Sequence, residues 1–221
     1  MSPTNYLITG ASSGIGLELV RQLASIPGNA VYATVRKRGS SATGVDGISN
    51  ISTTAEGSTI TILEGIDVAE DDVGDLLVPQ LNGLVIGVVV HNAGSLNGTR
   101  DVDSSNLMSE QKLSHITMDR MRSAFEVNTL GPLRVQKALL DSKLMRTTSD
   151  SSSGAAPVGK VAIISTGLGS IADNTSGGNY AYRASKAAVN MITKSLSCDL
   201  KDKGVSVRAI APGFVATEFG P

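Results

Sequence analysis

A chain of 221 residues with a net charge of −1 carries no electrostatic signature of nucleic-acid or anionic-membrane binding. Its 41% hydrophobic and 18% charged residues describe a protein with a substantial core, and the longest apolar run, Leu84 to Val90, is far too short to span a bilayer. One cysteine excludes an internal disulfide framework, the two histidines and that cysteine have no metal-ligand spacing, and no basic-then-apolar leader opens the chain; a cytoplasmic, metal-free protein is expected.

Residues 5–9 read as a buried strand that runs into Thr9-Gly-Ala-Ser-Ser-Gly-Ile-Gly16 and then into a helix over 14–25. Gly10 and Gly14 suit a tight turn with close backbone approach, and Gly16 suits close packing of the helix on the sheet. A helix N-terminus offers unpaired N–H groups and a positive dipole end, so the loop is read as a cradle for a diphosphate. Its spacing is G-x-x-x-G-x-G, which differs from the G-x-G-x-x-G of the commonest dinucleotide loop. A second strand, 30–35, ends in Ala33-Thr-Val-Arg-Lys-Arg38, with no acidic residue before Asp46. A carboxylate at this point would hold a ribose 2′-hydroxyl, whereas an arginine accommodates a 2′-phosphate. NADP(H) is therefore expected, with Arg36 as the main contact and Lys37 or Arg38 secondary.

Residues 38–58, rich in Gly, Ser, Thr and Asn, read as a loop or a poorly formed helix. A strand over 59–66, a helix over 71–81, a strand over 84–91 and a long helix over 117–140 follow. Residues 147–157 look like a surface insertion before a strand over 160–165, and a helix over 179–203 leads to a last strand over 205–210. Strand–helix alternation with Val- and Ile-rich strands predicts one domain, 1–221, of α/β class: a doubly wound parallel sheet with helices on both faces.

The helix over 179–203 carries Tyr182 and Lys186. Residues four apart share a helical face, which sets a phenol beside an ammonium. A free tyrosine titrates near 10, and a nearby cation favours the phenolate, so the pair could serve as a general acid–base near neutrality. Tyr180 has Ala184 at the same spacing and lacks the cation.

Taken together, Thr9–Gly16, Asp67-Val68, His91-Asn-Ala-Gly94, Asn128 in Phe125-Glu-Val-Asn-Thr-Leu-Gly-Pro132, the Tyr182–Lys186 pair and Pro212-Gly-Phe-Val-Ala-Thr217 come in a telling order. The chain resembles the short-chain dehydrogenase/reductase family over nearly its whole length. Within that family, Ser165-Thr-Gly-Leu-Gly-Ser-Ile171 and the segment 177–186 look like the C-signal/sniffer-type carbonyl reductases.

The resemblance implies hydride transfer between NADP(H) and a small carbonyl or alcohol substrate, with Tyr182 as general acid or base. It implies that Lys186 lowers the Tyr182 pKa and binds the nicotinamide ribose, and that Asn128 holds a water linking Lys186 to solvent. Cofactor contacts are implied at Gly10, Ser12, Ser13, Gly14, Ile15 and Gly16, with Asp67 and Val68 bordering the adenine. Further contacts are implied at Asn92, Ala93 and Gly94, at Tyr182 and Lys186, and at Pro212, Gly213, Val215 and Thr217. A homodimer or homotetramer formed through the two long helices is implied as well.

The chain departs from the family pattern at three points. The family serine stands three residues before a glycine; here Thr166 holds that place before Gly169, and Ser165 lies one residue earlier. Neighbouring strand residues point to opposite faces, so only one fits, with Thr166 favoured and Ser165 the alternative if the register shifts. His91 replaces the first Asn of Asn-Asn-Ala-Gly and reads as a structural variant of the strand end. The chain stops at Pro221, before the substrate-covering helices and seventh strand of the family, so a C-terminal strand and lid are expected to be missing. A non-catalytic, NADP(H)-binding regulatory protein is therefore the alternative function. Epimerisation or dehydration on the same fold is a third.

Overall fold

The computed structural model describes residues 4–36, 45–51, 55–96, 112–150 and 158–215. Six strands, β1 (Asn5–Ile8), β2 (Ala30–Val35), β3 (Thr59–Glu64), β4 (Val88–His91), β5 (Gly159–Ile164) and β6 (Val205–Ile210), form one sheet in the order β3-β2-β1-β4-β5-β6. Every pairing is parallel. Parallel strands need crossovers, and these are supplied by α1 (Gly14–Ala24), α2 (Val45–Ser49), α3 (Val73–Leu81), α4 (Met118–Phe125), α5 (Gly131–Asp141) and α6 (Tyr180–Asp199). Strand order reverses between β1 and β4, so the carboxyl ends of these two strands open a crevice of the kind in which such sheets bind ligands.

Alternation along each strand builds two cores. Leu7, Val89, Val161 and Ile163 pack with Leu77 and Leu81 of α3, Val135 and Leu139 of α5, and Val189 and Leu196 of α6. Their neighbours Ile8, Val31, Ala33 and Val90 face the other way, against Val20 of α1 and Ile48 of α2. Each buried aliphatic side chain contributes roughly 1.5–3 kcal/mol. This is the doubly wound sheet expected from the uninterrupted apolar strands. Among the described residues no helix is long and apolar enough to cross a membrane.

Two elements differ from expectation. The apolar run 84–91 yields a strand only from Val88. Ile86 instead bridges to Met145, donating its N–H to Leu144 and accepting from Arg146, and Gly87 separates this bridge from β4. The long helix 117–140 is interrupted by a π-turn, Glu126–Leu130. Pro132 has no N–H to give to the carbonyl four residues back, that of Asn128, so the α-helical ladder cannot pass unbroken through this point. The stretch 38–58 includes α2; its residues 38–44 and 52–54 lie outside the described residues, as do 151–157.

His91 closes β4 with its side chain in the core, 2% exposed, and its Nε2 lies 3.2 Å from Gln136 Oε1 on α5. Burial pushes the imidazole pKa down from 6.5 to about 4, against the smaller opposing effect of Gln136. Folding therefore favours the neutral ring, and the unfolded chain takes up the proton first. Stability is fully present above pH 6.5 and falls as the pH drops to about 4, by about 3 kcal/mol in total. His91→Asn is expected to lose less stability than the native chain between pH 7 and pH 4.5 in urea titrations. Parallel losses in the two proteins would remove His91 as the cause.

Candidate active site

The loop after β1 is shaped by what cannot be added to it. Gly10 has φ +65°, and a Cβ there would stand 2.8 Å from Ala93 Cα. At Gly16 a Cβ would collide with the Gly10 carbonyl and stand 2.5 Å from Asn92 Nδ2. The start of α1 is thereby pressed against two loops at once. Ser13 caps α1 in an extended conformation without a side-chain bond, and the first turn holds no carboxylate. Ser12 and Ile15 lie on the same turn, half-buried.

Asn92 and Thr9 lock the loops after β1 and β4 together. Asn92 Nδ2 donates to the carbonyls of Thr9 (3.1 Å) and Gly10 (3.0 Å), while the buried Thr9 hydroxyl accepts from the N–H groups of Asn92 and Ala93, both at 3.1 Å. On the other side, Gly10 N donates to Thr34 Oγ1 (3.4 Å) and Ala11 N to the Thr34 carbonyl (3.0 Å). Arg36 stands exposed two residues on, at the end of β2. Lys37 and Arg38 lie outside the described residues. Asp67 accepts from Ala69 N–H at 3.0 Å, and Val68 packs so closely on Gly131 that a Cβ there would stand 2.9 Å from Val68 Cγ2.

Asn128 lies in the π-turn, 1% exposed, and all its described side-chain bonds are structural. Its Oδ1 accepts from Ser95 N (2.8 Å), and its Nδ2 donates to the Ser95 carbonyl (2.8 Å) and to Ser185 Oγ (3.0 Å). Ser185 in turn donates to the Tyr182 carbonyl (3.0 Å). The π-turn therefore ties the loop after β4 to the first turns of α6. A Cβ on Gly94 would stand 3.4 Å from Asn128 Oδ1 and 3.7 Å from Lys186 Nζ, so these three residues converge.

Tyr182 and Lys186 share one face of α6, with the Lys186 Nζ 5.8 Å from the centre of the Tyr182 ring. Lys186 is 4% exposed and donates to the Ile164 carbonyl at 2.7 Å. Burial brings its pKa down from 10.5 to about 8. The expected lowering of the Tyr182 pKa by Lys186 is not the dominant effect. Burial raises the phenol, and a side-chain hydrogen bond with Thr166 opposes it. Thr166 Oγ1 accepts from Leu168 N (3.2 Å), which leaves its own proton for the phenol oxygen. Ser165 is directed elsewhere, donating to Asn190 Oδ1 at 2.6 Å. The hydroxyl brought to Tyr182 is that of Thr166.

Pro212, Gly213 and Val215 follow β6 on an exposed loop, with Gly213 at φ +79° and the neighbouring Phe214 fully exposed. Thr217 lies outside the described residues. Reasoning from sequence missed Thr9, Ser185 and Asn190 as organisers of the site. Thr9 was within reach, as a hydroxyl residue ending a buried strand just before the glycine loop. Asn190 also carried a signal, one turn beyond Lys186 on the face of Tyr182.

A model of the short chain dehydrogenase family matches residues 4–220. The 1-hydroxy-2-glutathionyl-2-methyl-3-butene dehydrogenase of Rhodococcus sp. is 33% identical over 218 residues, 98% of this chain and 80% of that one. Among solved structures, the NADPH-bound carbonyl reductase from chicken fatty liver superposes with a TM-score of 0.78 at 25% identity, covering 100% of this chain and 80% of that one. The carbonyl reductase Sniffer of D. melanogaster gives 0.77 at 28% identity, covering 97% and 82%. The chain belongs to the short chain dehydrogenase family and, with it, to the oxidoreductases.

Proposed function

We propose that this chain is an NADP(H)-dependent carbonyl reductase in which Tyr182 is the proton donor. The observation that carries the proposal is the cluster on α6, a half-buried phenol hydrogen-bonded to Thr166 with a buried ammonium on the same helical face. A paired acid and cation at the mouth of a crevice between loops β1–α1 and β4–α4 suits proton transfer to a carbonyl oxygen.

The residues present fit the cofactor. The carboxylate-free N-terminus of α1, with close approach guaranteed by Gly10 and Gly16, suits a diphosphate. The exposed Arg36 at the end of β2 suits a 2′-phosphate, and the position of Asp67 and Val68 after β3 supports a border for the adenine. The similar carbonyl reductase from chicken fatty liver binds NADPH, and a similar short-chain dehydrogenase/reductase from Burkholderia multivorans binds NADP. When bound, the cofactor supplies the hydride that reduces the carbonyl carbon.

The chain's own residues supply the rest. Tyr182 gives its proton to the carbonyl oxygen, forming the O–H bond of the alcohol, and the resulting phenolate is held by Thr166 and by the cation of Lys186. Ser95, Asn128 and Ser185 keep the first turns of α6 in place, so that acid and cation stay aligned. Oxidation of the alcohol reverses each step, with Tyr182 as base.

NADPH oxidation over a panel of aldehydes, ketones and quinones tests the proposal. Turnover supports it, whereas NADPH binding without turnover across the panel points to a regulatory nucleotide-binding protein. Tyr182→Phe is expected to lower kcat by at least about 100-fold while NADPH affinity, followed by fluorescence titration, stays within about twofold. Retained turnover would exclude Tyr182 as the acid. Arg36→Asp is expected to shift the NADPH-to-NADH preference by on the order of tenfold or more towards NADH, because a carboxylate repels the 2′-phosphate. An unchanged ratio would relocate the 2′-phosphate contact.

A further inference from the structure

Asn190 lies two turns along α6 from Tyr182 and one from Lys186, and it reaches both ends of the turn that carries Thr166. Its Oδ1 accepts from Ser165 Oγ at 2.6 Å, just before Thr166, and its Nδ2 donates to the Gly169 carbonyl at 3.4 Å, just after it. The turn is closed on itself by Gly169 N to the Thr166 carbonyl at 3.1 Å. It also lies flat on the helix. A Cβ at Gly169 would stand 2.9 Å from Asn190 Nδ2 and 3.0 Å from the Lys186 backbone, so a side chain here would displace Asn190 or lift the turn. Ser165 is pinned from the far side as well, its N–H donating to the Ile210 carbonyl of β6 at 2.7 Å.

We propose that Asn190 is a positioning residue that holds the Thr166 hydroxyl on Tyr182 through Ser165 and Gly169, an inference that rests on the carbonyl-reductase reading of the site. Neighbouring residues at a strand end point to opposite faces, so a strand end that slipped by one residue would exchange Ser165 and Thr166. The hydrogen bond from Ser165 to Asn190 opposes that exchange, because it satisfies the buried Ser165 hydroxyl only in the observed register. One helix thus carries the acid at Tyr182 and the cation at Lys186, and fixes the second hydroxyl through Asn190. Ser165 acts through Asn190 and need not touch the substrate.

The test compares Asn190→Ala, Ser165→Ala, their double variant and Thr166→Ala in the full chain. Activity is measured with NADPH and a carbonyl substrate. Asn190→Ala is expected to lower kcat by on the order of 10–100-fold with KM for NADPH little changed. It should also move the alkaline limb of the kcat–pH profile upwards, since Tyr182 loses the bond that opposes its raised pKa. The double variant is expected to lose no more than Asn190→Ala alone, as two parts of one path do.

A second readout needs no turnover. The carbon-13 resonance of the Tyr182 ring carbon bearing the hydroxyl, assigned by its absence in Tyr182→Phe, is expected to move in Asn190→Ala and Ser165→Ala in the direction it moves in Thr166→Ala. Should Asn190→Ala fail to fold, Ser165→Ala answers the same question. A native chain without turnover sinks the reductase reading but leaves the resonance to decide this proposal. Native-like kcat, pH profile and Tyr182 resonance in both single variants would overturn the role of Asn190 alone.

Discussion

The burial of the Lys186 ammonium is the constraint on which the site depends. A lone charge taken out of water costs several kcal/mol unless it finds partners, and here the cost shows as a pKa brought down to about 8. The partner at hand is the Ile164 carbonyl at the end of β5, 2.7 Å away. That bond, with the packing of Val189 and Leu196, holds α6 against the sheet. A Cβ in place of Gly94 would stand 3.7 Å from the ammonium, in van der Waals contact, so the loop after β4 lies directly over the cation. The cation is thus held by main chain and remains chargeable at neutral pH, which is what the proposed support of a phenolate asks of it.

The surrounding polar bonds connect loops that the sheet alone would leave independent. Thr9 and Asn92 join the loops after β1 and β4, and Asn128 joins the latter to α6 through Ser95 and Ser185. The second connection is deeply buried and the first partly so, and an unmet buried hydrogen bond costs about 1–3 kcal/mol. The loops therefore move together or not at all. A cradle for a diphosphate and an acid–cation pair are held in one frame, which is what proton and hydride delivery to the same carbonyl require.

Much of this was legible in the chain. The runs at 5–9, 30–35, 160–165 and 205–210 fall within a residue of the strands because short Val- and Ile-rich segments bounded by turn residues leave little ambiguity. The Tyr182–Lys186 spacing gave their shared face directly from helical geometry. Two features were hidden for physical reasons. Gly87 divides an apolar run whose first part pairs with Met145, a partner almost sixty positions away that periodicity cannot see. Burial raises Tyr182 and lowers Lys186, and desolvation depends on how the loops close rather than on the spacing of two residues. The choice between Ser165 and Thr166 was open in the sequence, because it turns on Asn190, whose contact with Ser165 exists only once α6 is packed against β5.

The central claim is that Tyr182 and a bound NADPH act on one carbonyl carbon and oxygen. The most direct measurement supplies NADPH deuterated at its transferable nicotinamide position and analyses the product alcohol by mass spectrometry. The account predicts one deuterium on the former carbonyl carbon with the native chain, and no labelled alcohol with Tyr182→Phe. Label transfer undiminished in Tyr182→Phe, or a native chain that binds the labelled cofactor and yields no labelled alcohol from any aldehyde, ketone or quinone, would contradict it.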